Sequence, residues 1–186
     1  MIPNLNVALI HYPVYNKRGE IVTTSVTLFD IHDIARSSTT FGLNEYQIIN
    51  PSVYQKKVVD RLTHFWKHGF GKEYNENRTT AITKVQYFFT IEEGVRHLTE
   101  QYQQKPLIVA TSAKQYPQYP LIDFPSLKQK ITQEPVLLLF GTGWGLSDEV
   151  LSVCDYILEP IRGKGEYNHL SVRAAAAIIL YQLSVD

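Results

Sequence analysis

The segment Val136-Leu137-Leu138-Leu139-Phe140-Gly141-Thr142-Gly143-Trp144-Gly145-Leu146-Ser147 decides how this chain folds. Its first five residues are apolar without interruption, which is typical of a strand buried on both faces of a parallel sheet. Three glycines at alternate positions then remove side chains and expose backbone N–H and C=O groups. Such a wall suits a flat polar ring such as adenine, or a phosphate, although a tight strand-to-helix turn with positive φ is the simpler interpretation.

Strands and helices alternate along the chain on either side of this segment. Further short apolar runs predict strands at 7–10, 46–49, 84–89, 107–110 and 155–158. The intervening amphipathic stretches predict helices, and three polar stretches predict loops: 13–24, 68–80 and 114–125. The pattern predicts an α/β fold, a single three-layer domain over residues 1–186 with a mainly parallel sheet.

Composition excludes several classes of protein. The 186 residues contain 18 basic and 18 acidic side chains, so net charge gives no argument for nucleic acid binding. A single cysteine, Cys154, excludes an intrachain disulfide and a Cys-rich zinc site. Residues 1–6 lack a basic region followed by an apolar one, and no apolar run is long enough to span a bilayer. We therefore expect a soluble cytoplasmic protein with no membrane segment.

Familiar nucleotide and metal motifs do not match. The glycine segment departs from G-x-G-x-x-G because Leu146 stands at the third glycine position. Gly71-Lys72-Glu73 and Gly163-Lys164-Gly165 do not complete a Walker loop. His64 and His68 have the spacing of metal ligands, but no Glu stands beside them and no third ligand is evident, so we predict no metal site.

A second group of residues converges on the same rim of the sheet. The strand ending at Leu158 is broken by Glu159-Pro160-Ile161-Arg162-Gly163, and Asn168-His169-Leu170-Ser171 then opens the last helix. Open α/β sheets bind ligands where strand carboxyl ends meet a helix amino end. The last helix is apolar all round and needs two burial partners. A second copy is the natural second partner, which predicts a homodimer; a central helix of a monomer is the alternative.

These residues, taken in order, resemble the SPOUT class of S-adenosylmethionine-dependent RNA methyltransferases. Residues 140–149 look like the second motif of that class, and residues 159–163 followed by 169–175 look like its third. Arg36 ahead of Phe41-Gly42 looks like its first motif.

Three shorter segments point to a narrower group. His11-Tyr12-Pro13, residues 32–36 and residues 168–173 are similar to a small bacterial SPOUT subfamily. Relatives of that subfamily occur fused to tRNA guanine-N1 methyltransferase domains.

The resemblance implies a fold, a cofactor and a function. It implies a deep trefoil knot in the carboxyl-terminal part and a homodimer packed through the first and last helices. It also implies S-adenosyl-L-methionine bent into the knot, held by Thr111, Ser112, Gly141, Thr142, Gly143, Gly145, Leu158, Pro160, Ile161 and Leu170. The implied function is methylation of RNA, either tRNA or rRNA.

Two departures from the class keep other functions open. Gly143 stands where the class usually carries a Glu, and Ser171 stands where it carries an Asn. One alternative is a non-catalytic SPOUT-like dimer that binds RNA or cofactor. Another is an enzyme for a different nucleotide-like ligand on a flavodoxin-like sheet.

Several polar residues are candidates for the chemistry. The catalytic candidates are Arg36, Glu159 and His169, and the substrate-binding candidates are Arg162, Asn168, His11 and His32. An acceptor hydroxyl or ring N–H must lose a proton, so a carboxylate or imidazole is useful. Each candidate also has a structural interpretation: an exposed helix Arg for Arg36, a salt bridge with Arg173 for Glu159, and a helix cap for Asn168 or His169.

One stretch has a local basic excess. Lys and Arg side chains alternate there with aromatic ones: Lys56, Lys57, Arg61, Phe65, Trp66, Lys67, Lys72 and Tyr74. Basic and aromatic side chains together suit RNA phosphates and base stacking. A solvated helix face with a few core aromatics is the plainer interpretation.

Overall fold

The computed structural model of the protein describes residues 4–165 and 167–185. Residues 1–3, Glu166 and Asp186, which the predicted domain includes, lie outside the described residues, and residues 1–3 are also part of the amino-terminal segment considered above. The described strands are β1 (Leu5–Ile10), β2 (Val14–Tyr15), β3 (Ile21–Val22), β4 (Tyr46–Ile49), β5 (Val85–Phe88), β6 (Leu107–Ala110), β7 (Leu121–Ile122), β8 (Val136–Gly141) and β9 (Tyr156–Leu158). The described helices are α1 (Leu28–Thr40), α2 (Val53–His68), α3 (Phe70–Tyr74), α4 (Glu76–Thr83), α5 (Ile91–Tyr102), α6 (Phe124–Gln133), α7 (Asp148–Ser152) and α8 (Val172–Ser184).

Seven strands form one sheet in the order β5-β4-β1-β8-β6-β9-β7. Each of its pairings is parallel. The two central strands are in register from Leu5 opposite Val136 to Ile10 opposite Gly141. The prediction of an α/β fold with a mainly parallel sheet is confirmed. Because the strands are parallel, the ends of β1, β4, β6, β8 and β9 meet at one rim.

The apolar run of β8 is buried because both faces of the sheet are covered. Val136, Leu138 and Phe140 belong to the core that contains α1 and α8 residues, and Leu137 and Leu139 belong to the core that contains α5 and α7 residues. Alternate residues of a strand point to opposite faces, so one continuous apolar run supplies two cores. The result is the predicted arrangement of three layers.

The prediction of a loop at residues 68–80 is wrong, because α3 and α4 occupy most of it. Gly71 lets α3 approach α2: a Cβ there would lie 2.7 Å from Cε3 of Trp66. Asn75 then begins α4, its side chain accepting a hydrogen bond from the backbone N of Arg78. Polar composition concealed these helices because their stability comes from contact with α2.

Two other predicted irregular segments contain strands. Residues 13–24 include the antiparallel pair β2 and β3. Residues 114–125 include β7, which pairs with β9 through Leu121 opposite Ile157. The strand β9 thus lies between β6 and β7, two strands that precede it in the chain.

Candidate cofactor and active site

A cavity of about 670 Å³ lies at the carboxyl ends of the strands. Its wall is built from five segments of the chain, within residues 24–30, 111–114, 140–145, 159–161 and 168–179. The volume is in the range of small-molecule sites, and the position is the one expected for a ligand of a parallel sheet.

The three glycines of residues 141–145 have different structural roles. A Cβ at Gly141 would lie 2.8 Å from the backbone N of Leu146, so the loop folds closely on itself there. Gly143 has φ +60, and a Cβ there would lie 2.7 Å from the backbone O of Tyr15. Gly145 has φ +107 with open space where a Cβ would be. Gly143 therefore serves close contact with β2, and Gly145 supplies a backbone conformation that other residues rarely adopt.

The pair β2–β3 supports this glycine loop from behind. The backbone N of Trp144 donates to the O of Tyr15 at 2.8 Å, and the N of Tyr15 donates to the O of Gly145 at 2.9 Å. The N of Ser147 donates to the O of Pro13 at 3.3 Å. Trp144 itself is 54% exposed. The backbone of the loop is thus held in place by β2 and Pro13.

A partly buried chain of hydrogen bonds joins β1 to the cavity wall. Oγ1 of Thr142 donates to the O of Ile10 at 2.9 Å, and it lies 2.5 Å from Oγ1 of Thr24, which lies 2.9 Å from Nδ1 of His11. Because the hydroxyl of Thr142 donates its proton to the O of Ile10, it accepts one from the hydroxyl of Thr24. The Thr24 oxygen in turn accepts from Nδ1 of His11. This order assigns the proton of the neutral His11 ring to Nδ1.

His11 is fully buried, and its Nε2 has no hydrogen-bond partner among the described residues. Burial lowers the pKa of His11 to about 4, because desolvation penalises the charged ring. The ring is therefore neutral at pH 7. It lies behind the wall formed by Thr24 and Thr142 and is not among the residues that line the cavity.

The opposite wall begins where β9 ends. The backbone N of Glu159 donates to the O of Ile122 at 2.9 Å, and one carboxylate oxygen of Glu159 accepts from the N of Phe124 at 3.0 Å. Glu159, Pro160 and Ile161 line the cavity, whereas Leu158 is buried in the core beneath it.

The start of α8 completes this wall. Asn168, His169 and Leu170 line the cavity, but the helix cap is Ser171, whose Oγ accepts from the N of Ala174 at 3.3 Å. The interpretation of Asn168 or His169 as the cap is therefore wrong. The ring of His169 lies edge-on to that of Tyr167, with centroids 5.5 Å apart.

Arg173 does not pair with Glu159 as one interpretation expected. Its guanidinium lies 3.5 Å from Asp30 and 3.4 Å from Asp33, which ties the start of α8 to α1. Asp30 lines the cavity, so this contact also fixes the edge of the wall.

Besides His11, three candidate residues lie outside the cavity wall. Arg36 lies with Phe41 and Ala177 in a second, open cavity of about 630 Å³ between α1 and α8. Arg162 is exposed and is not among the residues lining either cavity. His32 packs edge-on to Trp66 at 5.6 Å; burial and then the nearby Arg78 lower its pKa.

Some residues at the cavity were not predicted. The stretch Thr23-Thr24-Ser25-Val26-Thr27 brings Thr24, Ser25 and Thr27 to the wall, and Thr27 caps α1 by accepting from the N of Asp30. A run of small hydroxyl residues directly before a helix was the available signal. Among the described residues no group of His, Cys, Asp or Glu could hold a metal ion.

The residues of the cavity fit S-adenosylmethionine. Ile161, Leu170 and Val172 offer apolar contact for a ring, and the glycine loop offers backbone polar groups. The carboxylates of Asp30 and Glu159 suit ribose hydroxyls or a cationic sulfur.

Comparison with solved structures gives the class of protein. The SpoU methyltransferase AviRb from Streptomyces viridochromogenes, in complex with AdoMet, has a TM-score of 0.59 at 19% identity, over 96% of this chain and 56% of that chain. A probable methylase family protein from Haemophilus influenzae has a TM-score of 0.65 at 21% identity, over 99% of this chain and 66% of that one. At these identities the likeness shows the fold alone: that of the SpoU methyltransferases.

Sequence comparison then gives the family. The sequence profile described as SAM-dependent RNA methyltransferase matches residues 4–184, and the chain belongs to this family. The predicted resemblance and the predicted cofactor, S-adenosylmethionine, are thereby confirmed.

Two relatives of this chain differ in how much of their own length it matches. A tRNA (guanine-N(1)-)-methyltransferase from Oleidesulfovibrio alaskensis is 45% identical over 183 residues, which are 98% of this chain and 42% of that protein. An uncharacterized protein from Aquifex aeolicus is 37% identical over 182 residues, 97% of this chain and 88% of that protein. The chain thus spans less than half of the named methyltransferase.

No helix in the described ranges is long and apolar enough to cross a membrane.

Proposed function

We propose that this chain transfers a methyl group from S-adenosylmethionine to RNA, with tRNA the first candidate and rRNA the second. The observation that carries the proposal is the cavity at the strand ends, walled by the glycine loop, in a member of this family. The relative from Oleidesulfovibrio alaskensis supports tRNA by its name, but this chain matches only 42% of it.

The cofactor-binding residues of the proposal form the two walls. Thr111, Ser112, Pro160, Ile161 and Leu170 line the cavity together with the glycine loop, Gly141, Thr142, Gly143 and Gly145. Leu158 supports them from the core. When bound, S-adenosylmethionine supplies an electrophilic methyl group, so placing the acceptor in line with it is the main task of the protein.

The proton of the acceptor needs a receiving group. Glu159 and His169 are the proposed catalytic residues because both line the cavity. The Glu159 carboxylate is held by the N of Phe124 through one oxygen, which leaves the other for substrate. Asn168 beside them, and the exposed Arg162, are proposed to contact substrate. His11 acts from behind the wall, by holding Thr24 in place.

A homodimer through α1 and α8 is part of the proposal. Tyr181 is 55% exposed on α8, and Ala174 and Ala177 border the open second cavity. A second copy packed there would cover an apolar face and bring Arg36 into a shared interface. Tyr181→Glu should convert a dimer to a monomer in sedimentation; a wild-type monomer would contradict this part.

The trefoil knot is also proposed. Its support is the position of β9 between β6 and β7, together with the cavity, which residues 111–114 after β6 and residues 159–161 after β9 line together. A single domain and a cytoplasmic location, where RNA substrates are found, complete the proposal.

Two measurements test the function. Calorimetry should show binding of S-adenosylmethionine, and incubation with labelled donor and total RNA should transfer label. Glu159→Gln should retain the binding and lose transfer. Absence of binding would contradict the proposal. Binding without transfer would favour the non-catalytic dimer, which the departures at Gly143 and Ser171 support.

A further inference from the structure

The solvent side of α2 carries a row of basic and apolar residues. We name it the α2 stripe: Tyr54, Lys57, Val58, Arg61 and Phe65. Their spacing of three and four residues brings them to one side of the helix, and all five are exposed. Tyr54 is 79% exposed and Phe65 44%. Such exposure of large aromatic side chains indicates an interaction surface rather than a core.

The charge of this surface is of one sign. The helix α2 contains four Lys or Arg residues and one acidic residue, Asp60. Asp60 is already paired with Lys56 at 2.6 Å, outside the stripe. The whole chain has zero net charge, so the excess on α2 is local. Lys57 lies over the ring of Tyr54 at 5.8 Å, which places cation and aromatic together.

The structure separates the aromatic residues of this region into two groups. Trp66 is buried, with Arg78 5.0 Å from its ring, and belongs to the core. Phe65 faces outward, and a Cβ at Gly71 would lie 2.8 Å from its ring, so α3 adjoins the stripe. In α3 the exposed rings of Phe70 and Tyr74 stack at 5.7 Å.

The stripe begins next to the cavity. The side-chain O of Gln55 accepts from the N of Val26 at 2.9 Å, and Nδ2 of Asn50 donates to the O of Thr24 at 3.1 Å. Thr24 and Thr27 line the cavity. The 16 residues of α2 give the helix a length of about 24 Å from this end.

We infer that the α2 stripe binds a single-stranded segment of the substrate RNA beside the nucleotide in the cavity. Lys57 and Arg61 contact phosphates, and bases stack on Tyr54 and Phe65. An unpaired segment is required because only unstacked bases offer their faces. A protein partner fits less well, since cores of protein interfaces are depleted in Lys. The inference rests on the proposed function, because it takes RNA as the substrate.

Two double variants test the stripe. Lys57→Glu with Arg61→Glu removes the phosphate contacts, and Tyr54→Ala with Phe65→Ala removes the stacking. The control for charge is Lys105→Glu, an exposed residue before β6 at the opposite rim of the sheet. The control for the rings is Tyr54→Phe with Phe65→Tyr, which retains both aromatic faces. All substituted residues are exposed, so thermal unfolding should not change.

The measurement is fluorescence anisotropy with total tRNA and with an oligouridylate of about 12 nucleotides over a series of salt concentrations. Each stripe variant should weaken binding about tenfold or more, and neither control should. The charge variant should also reduce the slope of log K against log salt by about two. Affinity for S-adenosylmethionine should stay unchanged in all four.

Unchanged RNA affinity in both stripe variants would overturn the inference. Loss of self-association in those variants, with RNA binding intact, would overturn it as well and assign the surface to a second copy. If the wild-type protein binds the donor and methylates RNA, such a result rejects the stripe alone. If the wild-type protein binds no donor, the proposed function fails instead.

Discussion

The two walls of the cavity are built differently. The glycine-loop wall is connected to β1 and to the β2–β3 pair by backbone and partly buried side-chain hydrogen bonds. In the other wall, Glu159 is held, but within the described ranges residues 160–165 and 167–170 make no hydrogen bond to another element. Regions with few buried contacts open at lower free energy. The glycine-loop wall, which we call the held wall, therefore defines the shape of the site. The opposite wall, which we call the access wall, gives access to it.

The largest effect is expected from Gly143→Val, a substitution in the held wall. Its φ of +60 and the 2.7 Å approach of Tyr15 O to the position of a Cβ leave no room for a branched side chain. Backbone strain and overpacking together should lower the free energy of unfolding by about 4 kcal/mol. Donor binding should be lost in calorimetry. Gly165→Ala is the control, because Gly165 is exposed, lies outside the cavity wall and has open space where a Cβ would be; equal stability of the two variants would refute the contrast.

The second-largest effect is a loss of stability at acidic pH, caused by protonation of His11. His11 is neutral in the folded protein, its pKa lowered by burial to about 4 from 6.5. The unfolded chain takes up a proton first as pH falls, so the contribution to stability is complete above pH 6.5 and is lost between pH 6.5 and 4. The loss should approach 3 kcal/mol, by about 1.4 kcal/mol per pH unit.

Urea unfolding of the wild type and of His11→Gln at several pH values isolates this contribution. The neutral amide can still bond to Thr24 but does not titrate, so the variant should lose less stability in acid. Parallel pH curves for the two proteins would mean that the ring is not held neutral.

A smaller effect is expected at Thr142, where the held wall meets β1. Thr142→Val keeps the shape but removes the short contact of Thr142 with the Thr24 hydroxyl, which then has only the O of His11 at 3.5 Å as acceptor. Loss of the two partly buried hydrogen bonds of the Thr142 hydroxyl, to Thr24 and to the O of Ile10, should cost about 2 kcal/mol of unfolding free energy. Thr142→Ser, which retains the oxygen, should unfold like the wild type. If the Val and Ser variants are equally stable in thermal unfolding, the hydrogen-bond chain does not hold the wall.

The smallest effect should come from the access wall. Leu170 is 46% exposed, so Leu170→Ala should change unfolding by less than about 0.5 kcal/mol. Donor binding should nevertheless weaken about fivefold, near 1 kcal/mol, because a bound ligand covers that side chain. Val153→Ala, which removes an exposed apolar side chain outside the cavity, is the control. A large loss of stability in Leu170→Ala would show that both walls are structural.

Much of the fold could be predicted because continuous apolar runs have few other interpretations. The strands at 46–49 and 107–110 are observed as predicted, and the glycine loop follows β8 as expected. The two-residue strands β2 and β3 could not be recognised, because their pairing depends on contact with residues 143–147 rather than on their own composition.

The candidate site likewise contains some residues that could be predicted from the sequence and others that could not. Residues 141–145 were recognisable from their glycines, and Glu159 and His169 from their positions at an element boundary. The place of Arg36 in the second cavity and the burial of His11 behind Thr24 are matters of orientation. A sequence pattern assigns a residue to an element, whereas the packing of neighbouring elements decides which cavity its side chain reaches.

The position of β9 has a consequence for synthesis on the ribosome. β7 has β9 as its sheet neighbour, yet it emerges more than thirty residues earlier. Until Tyr156–Leu158 have been synthesised, β7 has no strand to pair with and the access wall does not exist. Pairing between such distant parts of a chain is slow. A nascent chain that ends before that point would leave β7 without its neighbouring strand and expose its backbone N–H and C=O groups.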